Sequence, residues 1–226
     1  MLSLSLFVFL FAQIPVNETT PKADPFVADS AWKSLGRSLW FDPKERQLIL
    51  RAKVAIREGS LEHLLCLKGT KEHESILFTD AVPKKIHAGL LLTGAEPGHP
   101  VRYKPKFEPP TGTAILIEAE WLEGAKLKKV DIKTWITDEK QKKPLTFDWV
   151  FAGSEIYPPG PNDKEPFYAA DDGDLFTVAN FANAILDLPF ASSAADADRI
   201  YTANPATVPP RGTWVTLYLK PRKPAK

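Results

Sequence analysis

A mostly β, α+β fold is what this sequence predicts: an antiparallel sheet or sandwich of about seven strands, with one three-turn helix and long proline-rich loops. Three observations carry that expectation. Apolar and polar residues alternate at a period of two in stretch after stretch. A single segment switches to the helical period. The 21 prolines gather largely in the N-terminal region and the connections.

Taken in order, Leu2–Ala12 is an unbroken run of apolar residues and serine. It has the length of an export signal's apolar region and is too short to cross ~30 Å of hydrocarbon. Residues 1–12 therefore read as a signal peptide, 13–30 as a Pro- and Thr-rich tether, and 31–226 as a single domain. In Arg46–Arg57, Leu48, Leu50, Ala52, Val54 and Ile56 share one face and Arg51, Lys53 and Arg57 the other, the pattern of a half-buried strand. Leu61–Lys68 follows the turn Glu58-Gly59-Ser60 and reads as its hairpin partner.

Ala114–Trp121 alternates Ile115, Ile117, Ala119 and Trp121 against Leu116, Glu118 and Glu120, and Glu123-Gly124-Ala125 turns it into a strand over Lys128–Thr137. Leu145–Ala152 aligns Phe147, Trp149 and Phe151, Asp174–Asn180 is shorter, and Trp214–Lys220 closes the series with Val215, Leu217 and Leu219 on one face. The exception is residues 79–94. Asp80 is a candidate N-cap, Pro83 falls in the first turn, Gly94 is a stop, and Val82, Ile86 and Leu90 repeat at helical spacing. A shorter helix is expected over Ala182–Leu188, capped by Asn180 and ended by Pro189.

The totals exclude several functions. Twenty-nine basic residues against 28 acidic ones leave no basic excess for nucleic acid or an anionic membrane surface. Cys66 is the only cysteine, which rules out an internal disulfide, an iron–sulfur cluster and a cysteine-based zinc site within one chain. No stretch after Ala12 is apolar for long enough to span a membrane. Ser154 lacks the G-x-S-x-G setting of a nucleophile elbow, and DDGD at 171–174 lacks EF-hand spacing and reads as a turn.

One cluster stands out as a candidate site. KEHES, residues 71–75, sets Glu72, His73, Glu74 and Ser75 side by side between a strand and the predicted helix, which carries His87. Imidazole and carboxylate ligate divalent metals, so His73, Glu74 and His87 can form a metal site, or a His–carboxylate acid–base pair, if the chain brings them together. With no H-E-x-x-H spacing, the same residues also read as a polar turn satisfying its own backbone.

Five stretches together resemble the YdjY-domain family, exported proteins of bacteria such as planctomycetes. They are KEHESILFTD (71–80), KKIHAGLLLTGAEPGHPV (84–101), WVFAGS (149–154), GDLFTVANFANAILDLPFASS (173–193) and VPPRGTWVTLYLKP (208–221). The resemblance implies a periplasmic or secreted location and brings no chemistry with it. The expected function is a non-catalytic binding or assembly module in the cell envelope, its partner a protein or small molecule. Glu72, His73, Glu74, Ser75 and His87 are the ligand-binding candidates. The alternative is a metal-dependent or acid–base enzyme centred on His73, Glu74 and His87. A divalent metal is the sole cofactor either reading invokes.

Overall fold

Residues 26–161, 164–192 and 200–223 are described by the structure, a computed structural model. The expected signal peptide and most of the expected tether lie outside the described residues. The chain enters a sheet through β1 (Lys33–Gly36), β2 (Leu39–Asp42) and β3 (Gln47–Val54), followed by β4 (His63–Leu67), β5 (Ser75–Thr79) and helix α1 (Pro83–Thr93). The hairpin β6 (Ala114–Glu123) and β7 (Lys126–Asp131) comes next, then β8 (Ile136–Asp138), β9 (Lys143–Pro144), β10 (Trp149–Phe151), β11 (Ile156–Tyr157) and β12 (Phe167–Tyr168). The series ends with β13 (Asp174–Thr177), β14 (Leu186–Asp187), β15 (Tyr201–Ala203) and β16 (Trp214–Pro221).

The protein is mostly β with one α-helix among the described residues, as the periodicities predict. The architecture differs from the expected open sheet or sandwich of about seven strands. Strands β3, β16, β6, β10, β14, β13, β4 and β5 pair in that order, and β5 returns to β3, closing an eight-stranded barrel. The barrel is mixed rather than antiparallel, since β4–β5 and β13–β14 are parallel. Closure was hidden because β5, β10 and β14 are two to five residues long and buried throughout or nearly so. Such strands show no alternation to read.

On one face of the long strands, Leu48, Leu50, Ala52, Ile115, Ala119, Val215, Leu217 and Leu219 are fully buried in a single cluster. Ile86 and Leu90 of α1 join it, as the helical spacing predicts. The helix ends where Gly94 adopts φ 89°, its N–H reaching back to the carbonyls of Leu90 and Leu91. Asp80 is not its cap. Val82 holds that position without a side-chain bond and is exposed, while Asp80 accepts a hydrogen bond from Ser38 Oγ.

Four further expectations are corrected. The turn at 58–60 does not make a β3–β4 hairpin, because β4 lies between β5 and β13. Ala182–Leu188 is a turn leading into β14, not a helix, and Asn180 bonds Asp187 and Leu188 instead of capping one. The strand expected over 128–137 breaks after Asp131 into a 3-10 turn that buries Trp135 against Trp121, then resumes as β8 in a separate sheet with β9 and β15. Finally, β3 is covered on both faces. Arg51, expected on the exposed side, is only 5 % exposed because its guanidinium lies under Phe26 and donates to Thr216 Oγ1. The β6–β7 hairpin through Gly124 forms as expected.

Candidate functional site

Two polar clusters flank the short segment from Tyr168 to Asp174. The first opens into a pocket of about 360 Å3 lined by Lys84, His87, Ile156, Glu165, Pro166 and Tyr168. Lys84 and His87 are three apart on α1 and share a face. The β11–β12 ribbon, paired Ile156 to Tyr168, supplies the opposite side. The walls are mainly apolar, and Ile156 is 69 % exposed at the rim.

The backbone at the base of this pocket is unusual. Gly153 and Ser154 both adopt positive φ, 93° and 63°. That is costly for serine, and the conformation is held by Ser154 Oγ donating to the Asn183 carbonyl at 2.7 Å. The turn aims the Gly153 carbonyl at His87 Nδ1 (3.0 Å) and at the Tyr168 hydroxyl (3.1 Å), which lies 2.9 Å from the same nitrogen. A carbonyl only accepts, so Nδ1 carries the ring proton and the lone pair of the neutral ring is on Nε2. Burial lowers the His87 pKa below its ordinary 6.5, outweighing the opposite pull of the Gly153 carbonyl. Phe151 packs edge-on against the ring, 4.8 Å between centroids. Burial also holds the Tyr168 hydroxyl protonated well above its usual range. The pocket thus offers a neutral imidazole, a phenol, one lysine and the carboxyl group of Glu165 within mainly apolar walls.

The second cluster is at the start of β4. His63 Nε2 lies 2.7 Å from Asp174 Oδ1, and Lys71 Nζ reaches the same oxygen at 2.8 Å. Phe181 stacks on the imidazole, 5.2 Å between centroids. Burial raises the Asp174 pKa, but the bonds and charges of His63 and Lys71 outweigh it and hold the carboxyl below its ordinary value. Glu62 and Glu74 each place a carboxylate oxygen within 4.8 Å of a His63 ring nitrogen and of one another.

A model of the YdjY domain matches residues 39–220, most of the chain and all eight barrel strands apart from the last residue of β16. The chain belongs to the YdjY-domain family. No curated protein and no solved structure matches it. Within the YdjY domain, the stretches that carried the resemblance contribute to both clusters, while Glu62, His63 and Tyr168 lie outside them. KEHES brings Lys71 and Glu74, KKIHAGLLL brings Lys84 and His87, WVFAGS brings Gly153, and GDLFTVANF brings Asp174 and Phe181.

The residues singled out in the sequence are dispersed over these places. Glu72 closes its own turn by accepting the Gly69 N–H at 2.6 Å. His73 is exposed on the 3-10 turn Glu72–Glu74, with Nε2 3.6 Å from Glu74 Oε1. Ser75 is buried and donates to the Leu77 carbonyl of its own strand. His87 lies in the pocket and shares no partner with His73 among the described residues. Besides His73, Glu74 meets a second histidine, His63, inside the apolar run LEHLLCL where it reads as one polar strand position. The missing signal was register. Glu62 N bonds the Glu74 carbonyl, and His63 pairs with Ser75 across two strands that are joined by residues 68–74 and run parallel, a direction the residue pattern does not specify.

Proposed function

We propose that this YdjY-domain protein is an exported, non-catalytic binding module of the cell envelope whose ligand occupies the pocket between α1 and the β11–β12 ribbon. The observation that carries the reading is the pocket itself: an apolar concavity with a few convergent polar groups, the ordinary form of a small-molecule site. Its chemistry favours a small amphipathic ligand, with an aromatic or aliphatic body against Ile156 and Pro166. Lys84 would meet an anionic group, and His87 and Tyr168 would orient a polar one. The export half of the reading rests on Leu2–Ala12.

The acid–base alternative needs His73, Glu74 and His87 to converge on one concave surface. His87 hydrogen-bonds Gly153 and Tyr168 while His73 pairs with Glu74 on an exposed turn, which favours binding over catalysis by that trio.

The test uses 1-anilinonaphthalene-8-sulfonate, an aromatic anion of suitable shape. The expected result is saturable one-site fluorescence enhancement that weakens at least tenfold in Ile156→Asp, a substitution at an exposed rim position that leaves the core untouched. Equal enhancement by both proteins, or none by either, would overturn the pocket as the binding site.

A further inference from the structure

We propose that Glu62, His63 and Glu74 bind one divalent transition-metal ion, with Asp174 orienting the imidazole. The pairing of His63 with Asp174 fixes the tautomer. The Asp174 oxygen at 2.7 Å also takes the Lys71 ammonium and can only accept, so Nε2 carries a proton and in the neutral ring the lone pair is on Nδ1. Nδ1 is buried, on a residue with no exposed surface, and has no hydrogen-bond partner. A polar atom left so in a folded protein requires a reason, and an absent ligand is one.

The carboxylates of Glu62 and Glu74 supply the rest of the site. One oxygen from each lies within 4.8 Å of a His63 ring nitrogen and of the other. With Nε2 committed to Asp174, Nδ1 is the nitrogen available to a metal. A cation at bond lengths of about 2.0–2.2 Å draws such atoms together by small carboxylate rotations. The backbone that presents them is already fixed. Glu62 N donates to the Glu74 carbonyl at 3.1 Å, and the Glu62 carbonyl accepts from Val178 N and Ala179 N. A carboxylate behind a ligating histidine is the usual outer partner of such a site, and here Asp174 fills that role.

One imidazole with two carboxylates suits Zn2+ or Mn2+; Ca2+ and Mg2+ prefer all-oxygen sets, and copper(I) prefers sulfur. The site is closed. Glu62 and His63 are buried and the Glu74 side chain is 15 % exposed, so the ion's role is to pin the Glu72–Glu74 turn onto β4.

The experiment titrates Zn2+, Mn2+ and Ca2+ separately into the purified, chelator-stripped full chain by calorimetry, with thermal unfolding in parallel. One equivalent of Zn2+ or Mn2+ is expected to bind and raise Tm, while Ca2+ does neither. Glu74→Gln should weaken binding at least tenfold, Asp174→Asn about 10–100-fold, and His73→Ala, which removes only an exposed contact to Glu74, far less than either. Glu62→Gln is the second ligand variant if circular dichroism shows that Glu74→Gln does not fold. The proposal is overturned if neither metal binds stoichiometrically, or if binding survives the ligand variants. Ile156→Asp leaves these residues intact, so this result and that of the pocket are read independently.

Discussion

Two buried aspartates show how much a single residue's partners decide. Asp174 and Asp187 are both nearly inaccessible. Asp174 accepts from a lysine ammonium and an imidazole, and its carboxyl is held below the ordinary value. Asp187 accepts from Thr177 Oγ1, Asn180 Nδ2 and the N–H groups of Phe181 and Leu188, all neutral. Burial outweighs those bonds and pushes it from 3.8 up to about 7. Because the folded-state pKa is raised, the native state binds the extra proton. The stabilisation is therefore full below 3.8 and is lost as pH rises through about 7. Urea unfolding of the protein and of Asp187→Asn across that window should differ by a contribution that falls towards neutral pH and is absent from the variant. An unchanged slope in the variant would assign the effect to another group. None of this was legible in ILDLP, where Asp187 is one polar residue among apolar ones. Its donors come from residues up to ten positions away, brought round by a turn where a helix was expected.

At the scale of the element, α1 was the most readable part of the chain. Its buried face, the proline near its start and the glycine at its end are local signals that physical chemistry links directly to helix geometry. What the pattern did not contain is the reason for Gly89. A Cβ there would lie 2.4 Å from Leu48 Cδ1 and 3.1 Å from Leu35 Cδ1, so the helix approaches β3 through its missing side chain. In isolation Gly89→Ala would favour the helix by about 1 kcal/mol. Overpacking against a fully buried leucine costs about 1–3 kcal/mol and should win. The variant is expected to unfold at lower denaturant with an unchanged m-value. A gain in stability would mean that α1 can lift off the barrel at little cost. The KEHES turn is the opposite case. Its residue types were conspicuous, but that Glu74 would also meet His63 depended on β4 and β5 pairing in parallel, which no residue period announces.

For the whole molecule, closure is the decisive feature. Strand β16 lies between β3 and β6, in register with six residues of each. A chain ending at residue 213 would lose that strand and leave two long edges rich in leucine and isoleucine, a ready template for association. It is expected to be unfolded or aggregated by circular dichroism and size-exclusion chromatography; a monomeric, folded product would show that the barrel does not depend on closure. The outer edge of the β6–β7 hairpin is managed differently. Strand β7 carries Lys126, Lys128 and Lys129, exposed charges that discourage further pairing. Among the described residues no helix is long and apolar enough to cross a membrane.

Periodicity, capping and composition are local properties, and by themselves they determined that this chain would be mostly β. They also placed most of the longer strands and the helix, located the β6–β7 turn, and, with Cys66 alone, excluded an internal disulfide and a four-cysteine cluster. Strand order, parallel pairing and barrel closure were decided only by the tertiary structure. So were the union of His63 with Asp174 and Glu74 and the meeting of His87 with Tyr168. The physical reason is common to all of them. Each joins segments that are far apart in the chain or held by short, fully buried strands. Such contacts are selected by the packing of the whole core and leave no period in the residues that make them.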